Sequence, residues 1–594
     1  MSAEIAEFPA HVLPADDLRA LARGEGGADA VRRFAFTERS WRLIALRHLV
    51  SALEGTPATG PLSPIEDALQ VLTDAETRDE AAVTDVLMYP QAGIWIAHML
   101  RRLQGVVTDD APLWVDTGYL HTLAATAAIR AGAQFTLRVP VRSGAVVLPG
   151  LGLAWFPGID GAAAEVRCIG GATEIAVDGH GSPVAVGGAG WRPLPRCHAE
   201  SGGRRIGFAL DDVDPYRDLR GYSVPAPLEP ADVARWQSLL DDAWSILAGQ
   251  DRAVADSVAA AIASLTPLPA AEPYRPLSAS CDEAFAAVQA SMPDDAEQLA
   301  VTLVHETQHV KLGALTHLVS FVRDTGGPLC WAPWRDDPRP LRGLLQGLYA
   351  FVGITGYWRH RTGPAAEFEF ALWRLQLRRV LSGLAGDDRL SAEGHSLVGG
   401  LASTVRSWGA GPVSAPVQRL AELFAADHSG QWRALHIAAD EAWVSAAADA
   451  WATGEPCPAA DGVPVPAPVT DTGARWLDGR AVLARMWLGD PEEFAIVAKA
   501  PAAVAGRVPG TLPPDLALIS GDVAGARDGY VRHLSHRRDD HRAWVGLGLA
   551  LGVLGEPAGL LADRPELVRA VARRVDNADP LRLVAWTAVT RVSC

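Results

Sequence analysis

The segment from Val301 to Val310, VTLVHETQHV, constrains the fold more than any other part of the chain. An α-helix turns by about 100° per residue, so His305 and His309 lie on one face with about 6 Å of rise between them. The pattern His-Glu-x-x-His on a helix is typical of a metal site in which both histidines are ligands and the glutamate, here Glu306, is a general base. We therefore expect one face of this helix to look into a site.

The residues around the motif predict a helix from about Pro293 to Leu318. Proline is tolerated in a first helical turn, and the two acids that follow Pro293 favour the positive end of the helix dipole. An apolar stripe predicts the buried side, and a polar or small stripe predicts the side that faces the site. The apolar stripe is Leu299, Leu303, Val310, Ala314 and Leu318, and the polar stripe is Gln298, Thr302, His305, His309, Gly313 and Thr316. The alternative is an exposed histidine pair on an ordinary helix, since short motifs arise by chance in long chains.

A third ligand must come from outside the motif. His317 lies about 12 Å beyond His309 if the helix is continuous, so it cannot share the ion without a break. Leu312 and Leu315 occupy the positions of the glycine and the histidine in one extended protease motif. A later helix is therefore required, and the sequence does not choose among its candidates. These are Gln346, His360, Glu367 and Glu369.

Length and charge exclude several classes of protein. A chain of 594 residues predicts two to four domains, and a net charge of -17 argues against nucleic acid as a partner.

The six cysteines contain no Cys-x-x-Cys pair, which favours free thiols. We see neither a signal peptide nor an apolar run of about 18 residues, so we expect a cytoplasmic protein without a membrane segment.

The hydrophobic pattern predicts a mainly α-helical protein with a small antiparallel β subdomain, an α+β fold. We assign a helical region to residues 1–132, an antiparallel β subdomain to 133–212, a helical metal-binding domain to 213–455 and a C-terminal helical module to 470–594. Within the third region we expect one helix over Pro230–Leu265, followed by a proline-rich linker. The run 540–555 has the small-residue spacing of a tetratricopeptide-like (TPR-like) helix pair. His98 and His121 are isolated in apolar surroundings and are not favoured as ligands.

The segment from Trp331 to Pro340 holds two arginines on a proline-rich backbone. Arg335 and Arg339 could each bind a carboxylate through two parallel hydrogen bonds from the guanidinium group. The alternative is that Asp336 and Asp337 neutralise them in a local ion-pair cluster. The sequence leaves both possibilities open.

Three segments together resemble a known family. They are HETQHVKL at 305–312, WRDDPRP at 334–340 and LQGLYAF at 345–351, and WVGL at 544–547 is similar too. These runs look like those of actinobacterial HExxH-domain proteins encoded beside ribosomally made peptide precursors. The resemblance extends from about Asp282 to the end of the chain, and implies a zincin-like motif helix in a helical core.

The resemblance implies an iron- and 2-oxoglutarate-dependent peptide β-hydroxylase. His305 and His309 would then bind Fe(II), Arg335 or Arg339 would hold the distal carboxylate of 2-oxoglutarate, and Glu306 would handle a proton or support the site. The expected partners are a precursor peptide and a peptide maturation enzyme. Two alternatives remain: a zinc metallopeptidase or other hydrolase with Glu306 as base, and an inactive relative that only binds a peptide.

Overall fold

The chain forms two compact units. The computed structural model describes residues 11–54, 60–219, 221–323, 326–409, 411–576 and 578–588. Unit 1 comprises Met1–Leu21 and Glu25–Val319, and unit 2 comprises Ala22–Gly24 and Ser320–Cys594. The division falls inside the stretch 213–455 that the sequence analysis treats as one domain. The fold is mainly α-helical with small β-sheets, as predicted.

Unit 1 combines helices with three small sheets. Its helices are α1 (Ala15–Ala22), α2 (Ala28–Leu53), α3 (Ile65–Arg78), α4 (Glu80–Leu87), α5 (Pro90–Leu103), α6 (Leu113–Thr117), α7 (Tyr119–Arg130), α8 (Pro230–Gln250), α9 (Arg252–Ala261) and α10 (Ala296–Thr316). Its strands are β1 (Phe135–Val141), β2 (Ala145–Leu148), β3 (Gly152–Trp155), β4 (Ala162–Ile169), β5 (Ala172–Val177), β6 (His180–Ala185), β7 (Trp191–Pro193), β8 (Arg196–Ser201), β9 (Arg204–Leu210), β10 (Ser264–Leu268), β11 (Ser278–Ala279) and β12 (Ala287–Ser291).

Two of the sheets are antiparallel and the third is mixed. The antiparallel sheets have the strand orders β1-β4-β5-β6 and β2-β3-β7. The third sheet has the order β11-β12-β10-β9-β8, in which β9, β10 and β12 are parallel. Helices α8 and α9 therefore form the crossover that parallel strands such as β9 and β10 need. The strands at 133–212 extend their pairing to residues 264–291, beyond the predicted β subdomain.

The predicted helix over Pro230–Leu265 is wrong at its end. Asp251 interrupts it, because its carboxylate accepts hydrogen bonds from two backbone N–H groups and starts α9 as an N-cap. Strand β10 then begins at Ser264, inside the expected helix, and continues into the expected linker. Its register with β12, Ser264 opposite Ala287, places it in the middle of the mixed sheet.

Unit 2 is helical apart from isolated bridges in its described part. Its helices are α11 (Leu341–Trp358), α12 (Pro364–Leu384), α13 (Ala392–Ser407), α14 (Ala415–His436), α15 (Glu441–Thr453), α16 (Gly479–Gly489), α17 (Pro491–Ala498), α18 (Val504–Arg507), α19 (Pro513–Ser520), α20 (Val523–His536), α21 (His541–Leu554), α22 (Pro565–Arg574) and α23 (Pro580–Ala588). Helix α14 packs against α12, α21 and α22, so it joins the two ends of this unit. Tyr530, Leu547 and Val568 are buried in the apolar core of the later helices.

Two general expectations concern cysteines and membranes. The five cysteines among the described residues are free thiols, and Cys594 lies outside those residues. No helix in the described ranges is both long and apolar enough to cross a bilayer.

Candidate metal centre

The motif helix α10 begins at Ala296, three residues after the predicted start at Pro293. Asp295 is its N-cap, and its carboxylate accepts a hydrogen bond of 2.8 Å from the backbone N–H of Gln298. Leu303 is fully buried as part of the apolar stripe, and the helix packs against α2, α8 and α9 of unit 1. The helix ends at Thr316, so Leu318 lies beyond it and is 38% exposed, contrary to the predicted stripe.

The two motif histidines converge on one point. Their Nε2 atoms lie 3.1 Å apart, and their ring planes are inclined by 75°. Two nitrogens about 2.1 Å from a shared ion subtend about 95° at this separation, between octahedral and tetrahedral angles. Burial, and then the neighbouring His309, lower the pKa of His305 to about 4. His305 is therefore neutral at pH 7, which is the protonation state in which an imidazole can bind a metal.

Glu306 is a buried carboxylate without a partner. It is 1% exposed, and neither of its oxygens has a hydrogen-bond partner among the described residues. Its Oε1 atom lies 3.9 Å from Nε2 of His305. Burying a carboxylate without a counter-charge is costly, whereas a cation next to it would offset that cost. Two converging imidazoles beside a carboxylate that accepts no hydrogen bond from the described residues therefore fit a divalent metal ion.

Unit 1 does not complete the ligand set. In its described part, no histidine, cysteine, aspartate or glutamate brings a third ligand atom within 4.8 Å of both imidazoles. The four candidates from the sequence all belong to unit 2. Two of them carry structural contacts there: Glu369 accepts hydrogen bonds from Arg485 and Trp373, and Glu367 accepts one from the backbone N–H of Ser414. Gln346 lies within α11, and His360 is exposed just beyond its end.

The arginine segment of unit 2 is a closed loop with an internal counter-charge. Two backbone hydrogen bonds between Cys330 and Arg339 close it, with lengths of 2.7 and 2.9 Å. Asp337 bridges both arginines, at 3.0 Å from Nε of Arg335 and 3.0 Å from Nη1 of Arg339. Burial raises the pKa of Asp337, but the two arginines outweigh it and lower that pKa overall. The carboxylate of Asp336 instead accepts hydrogen bonds from the backbone N–H groups of residues 476 and 477.

A second group of potential ligands lies elsewhere in unit 1. His98, Asp109 and Asp116 bring ligand atoms within 4.8 Å of one another, the one such trio among the described residues. However, Arg142 donates to both carboxylates, at 2.5 Å to Asp116 and 3.1 Å to Asp109, and Arg102 also pairs with Asp116. The two guanidinium groups already neutralise the acids, so an added divalent cation would meet repulsion. Sequence spacing carries no signal for this trio, because its members come from separate segments.

Comparison with known proteins adds no relative. No protein-family model matches the chain, and a search of curated proteins finds no match.

Proposed function

We propose that this protein is an Fe(II)- and 2-oxoglutarate-dependent oxygenase that β-hydroxylates side chains of a ribosomally made precursor peptide. The observation that carries the proposal is the 3.1 Å separation of the two Nε2 atoms on α10. Imidazole ligands suit iron and zinc alike, and two of them on adjacent turns supply two positions of a facial ligand set. The choice of iron and of a peptide rests on the family resemblance of residues 305–312, 334–340 and 345–351.

The residues of α10 have separate tasks in this proposal. His305 and His309 would hold the metal through their Nε2 atoms. With iron bound, the centre would consume O2 and 2-oxoglutarate, release succinate and CO2, and insert one oxygen atom into a C–H bond of the peptide. Glu306 would support the site from its buried position or handle a proton beside His305. Leu303 and the rest of the apolar stripe keep the helix fixed against α8 and α9.

The remaining parts of the proposal concern unit 2. Arg335 and Arg339 remain candidates for holding the distal carboxylate of 2-oxoglutarate, but a ligand there would have to compete with Asp337. The candidates that the sequence offers for a third metal ligand, Gln346, His360, Glu367 and Glu369, also belong to unit 2. The consecutive packed helices α19, α20, α21 and α22 favour a TPR-like module that holds the peptide or a maturation enzyme. Helix α10 would act as a zincin-like helix in a cytoplasmic enzyme.

A zinc hydrolase is the second candidate. The observation that favours it is the unpaired carboxylate of Glu306, 3.9 Å from His305, since a general base in a zinc peptidase must be free to take a proton from water. This candidate predicts bound zinc and peptide cleavage without oxygen.

Anaerobic reconstitution with Fe(II) and 2-oxoglutarate tests the proposal. We expect a weak visible charge-transfer band that disappears when oxygen is admitted, and loss of the band in His305→Ala and His309→Ala. His48→Ala is the matched control, because His48 is an exposed histidine on α2 and should leave the band unchanged. No band, together with one tightly held zinc ion per chain, would overturn the oxygenase in favour of the hydrolase. Glu306→Gln should then abolish cleavage, whereas in the oxygenase it should retain iron.

A further inference from the structure

Arg374 of α12 is a buried cation without a counter-charge. Arg374 is 5% exposed. Its Nε atom is fully enclosed and has no hydrogen-bond partner among the described residues. None of the residues that the structure describes forms an ion pair or hydrogen bond with its guanidinium group. Arginine is almost never buried unless it is paired, so this environment lacks an anion.

The neighbours of Arg374 do not supply that anion. Phe370, one turn earlier on α12, has its ring centroid 5.2 Å from the guanidinium carbon. Arg378 lies one turn later on the same face. It is a second cation, and unlike Arg374 it is exposed. Burial, and then the charge of Arg378, lower the pKa of Arg374. The local surroundings therefore consist of an aromatic face and a like charge.

Three other arginines of unit 2 are paired with acids; of these, Arg480 is fully buried, and Arg485 and Arg389 are partly buried. Arg485 pairs with Glu369 at 2.5 Å, and Arg480 pairs with Asp427 at 2.5 Å and Asp515 at 2.7 Å. Arg389 pairs with Asp387 at 2.7 Å. Among the described residues, unit 2 therefore supplies acids to the fully buried Arg480 but not to Arg374.

We propose that Arg374, with Arg378 beside it, binds a small oxyanion carrying a carboxylate or a phosphate group. A guanidinium group can donate two parallel hydrogen bonds to two oxygens of such an anion. Of the three guanidinium nitrogens of Arg374, only Nε is both fully enclosed and without a hydrogen-bond partner among the described residues. Arg378 adds a second positive charge one turn away, and Phe370 lies against the guanidinium group. The site uses residues of unit 2 alone and does not depend on the metal centre.

Titration of the full-length, metal-free protein with four anions tests this proposal. Calorimetry with succinate, acetate, inorganic phosphate and sulfate, in chloride buffer of matched ionic strength, distinguishes carboxylate from phosphate as the preferred group. We expect saturable binding of at least one anion, weakened at least about tenfold in Arg374→Met and severalfold in Arg378→Gln. Arg379→Gln is the control, because Arg379 is an exposed neighbour whose Nη1 donates to the carbonyl of Ala425. It should bind within about twofold of the wild type.

Thermal unfolding separates loss of the ligand from loss of the fold. In buffer without these anions, Arg374→Met should be at least as stable as the wild type, because it removes an unpaired buried charge. Adding the preferred anion should raise the melting temperature of the wild type but not that of Arg374→Met. The proposal is overturned if none of the four anions binds saturably up to about 10 mM, or if folded Arg374→Met keeps wild-type affinity.

Discussion

Gly546 lies in the middle of α21 where a methyl group would collide with a buried ion network. A Cβ atom at this position would lie 2.4 Å from Cζ of Tyr530 and 2.7 Å from Nη2 of Arg480. Tyr530 donates to Asp515 at 2.5 Å, and Arg480 is held by Asp515 and Asp427. Neither side chain can therefore move away alone, and Gly546→Ala must disturb both.

The size of the effect follows from three opposing contributions. Alanine gains about 0.5–1 kcal/mol over glycine inside a helix. Forcing a methyl group into a packed core costs about 1–3 kcal/mol, and breaking a buried ion pair costs about 3–5 kcal/mol. Because Arg480 would be displaced but not removed, only part of the last cost applies. We expect a net loss of about 2–4 kcal/mol in the stability of this helix pair.

Hydrogen exchange of the full-length protein measures this loss where it occurs. Protection of the α20 and α21 amides should fall about 30- to 1,000-fold in Gly546→Ala. Gly552→Ala is the matched control on the same helix, because nothing lies within 4 Å of its Cβ position. It should gain about 0.5–1 kcal/mol through helix propensity. Equal or increased protection in both variants would refute the steric reasoning.

Two further predictions concern acid and helix capping. Burial lowers the pKa of His428 to about 4, below about 6.5 in the unfolded chain, so the unfolded state binds the proton first as pH falls. Stability should therefore drop by up to about 3 kcal/mol between pH 6.5 and 4, and His428→Gln should show a shallower loss in urea unfolding at pH 7 and 4.5. Asp295→Ala should cost about 1 kcal/mol and reduce amide protection in the first turn of α10, while Asp295→Asn retains most of it. Unchanged protection in Asp295→Ala would contradict the N-cap assignment.

Local chemistry made the motif helix predictable. Pro293 and the two acids after it marked the start of the helix to within three residues, but Asp295 lies outside the helix as its N-cap, and Pro293 lies before that cap. Its end was harder to predict, because the apolar spacing continues to Leu318 although the helix stops at Thr316. Strand β10 was missed for a different reason. Its five residues, SLTPL, contain a proline and become a strand only by pairing with β9 and β12, which no local pattern reveals.

The partners of charged side chains were the least predictable feature. The sequence places two acids beside Arg335 and Arg339. Only the folded loop shows that Asp337 pairs with both arginines, while Asp336 accepts hydrogen bonds from the backbone of residues 476 and 477. The partners of Asp116 likewise come from positions 14 to 100 residues away. Such pairings depend on the tertiary fold, so spacing along the chain cannot identify them.

Unsatisfied charge is therefore a better guide to ligands here than charge itself. Arg335 and Arg339 are charged, but both form ion pairs with Asp337. An anionic ligand would therefore have to break an existing ion pair before it could bind either arginine. Glu306 and Arg374 are buried and have no such partner among the described residues. A ligand of opposite charge would therefore offset the unfavourable free energy of burying these charges. We therefore propose a cation for unit 1, beside Glu306 and the two motif histidines, and an anion for unit 2, beside Arg374 and Arg378. Each of the two proposals can fail without the other, because they rest on different residues.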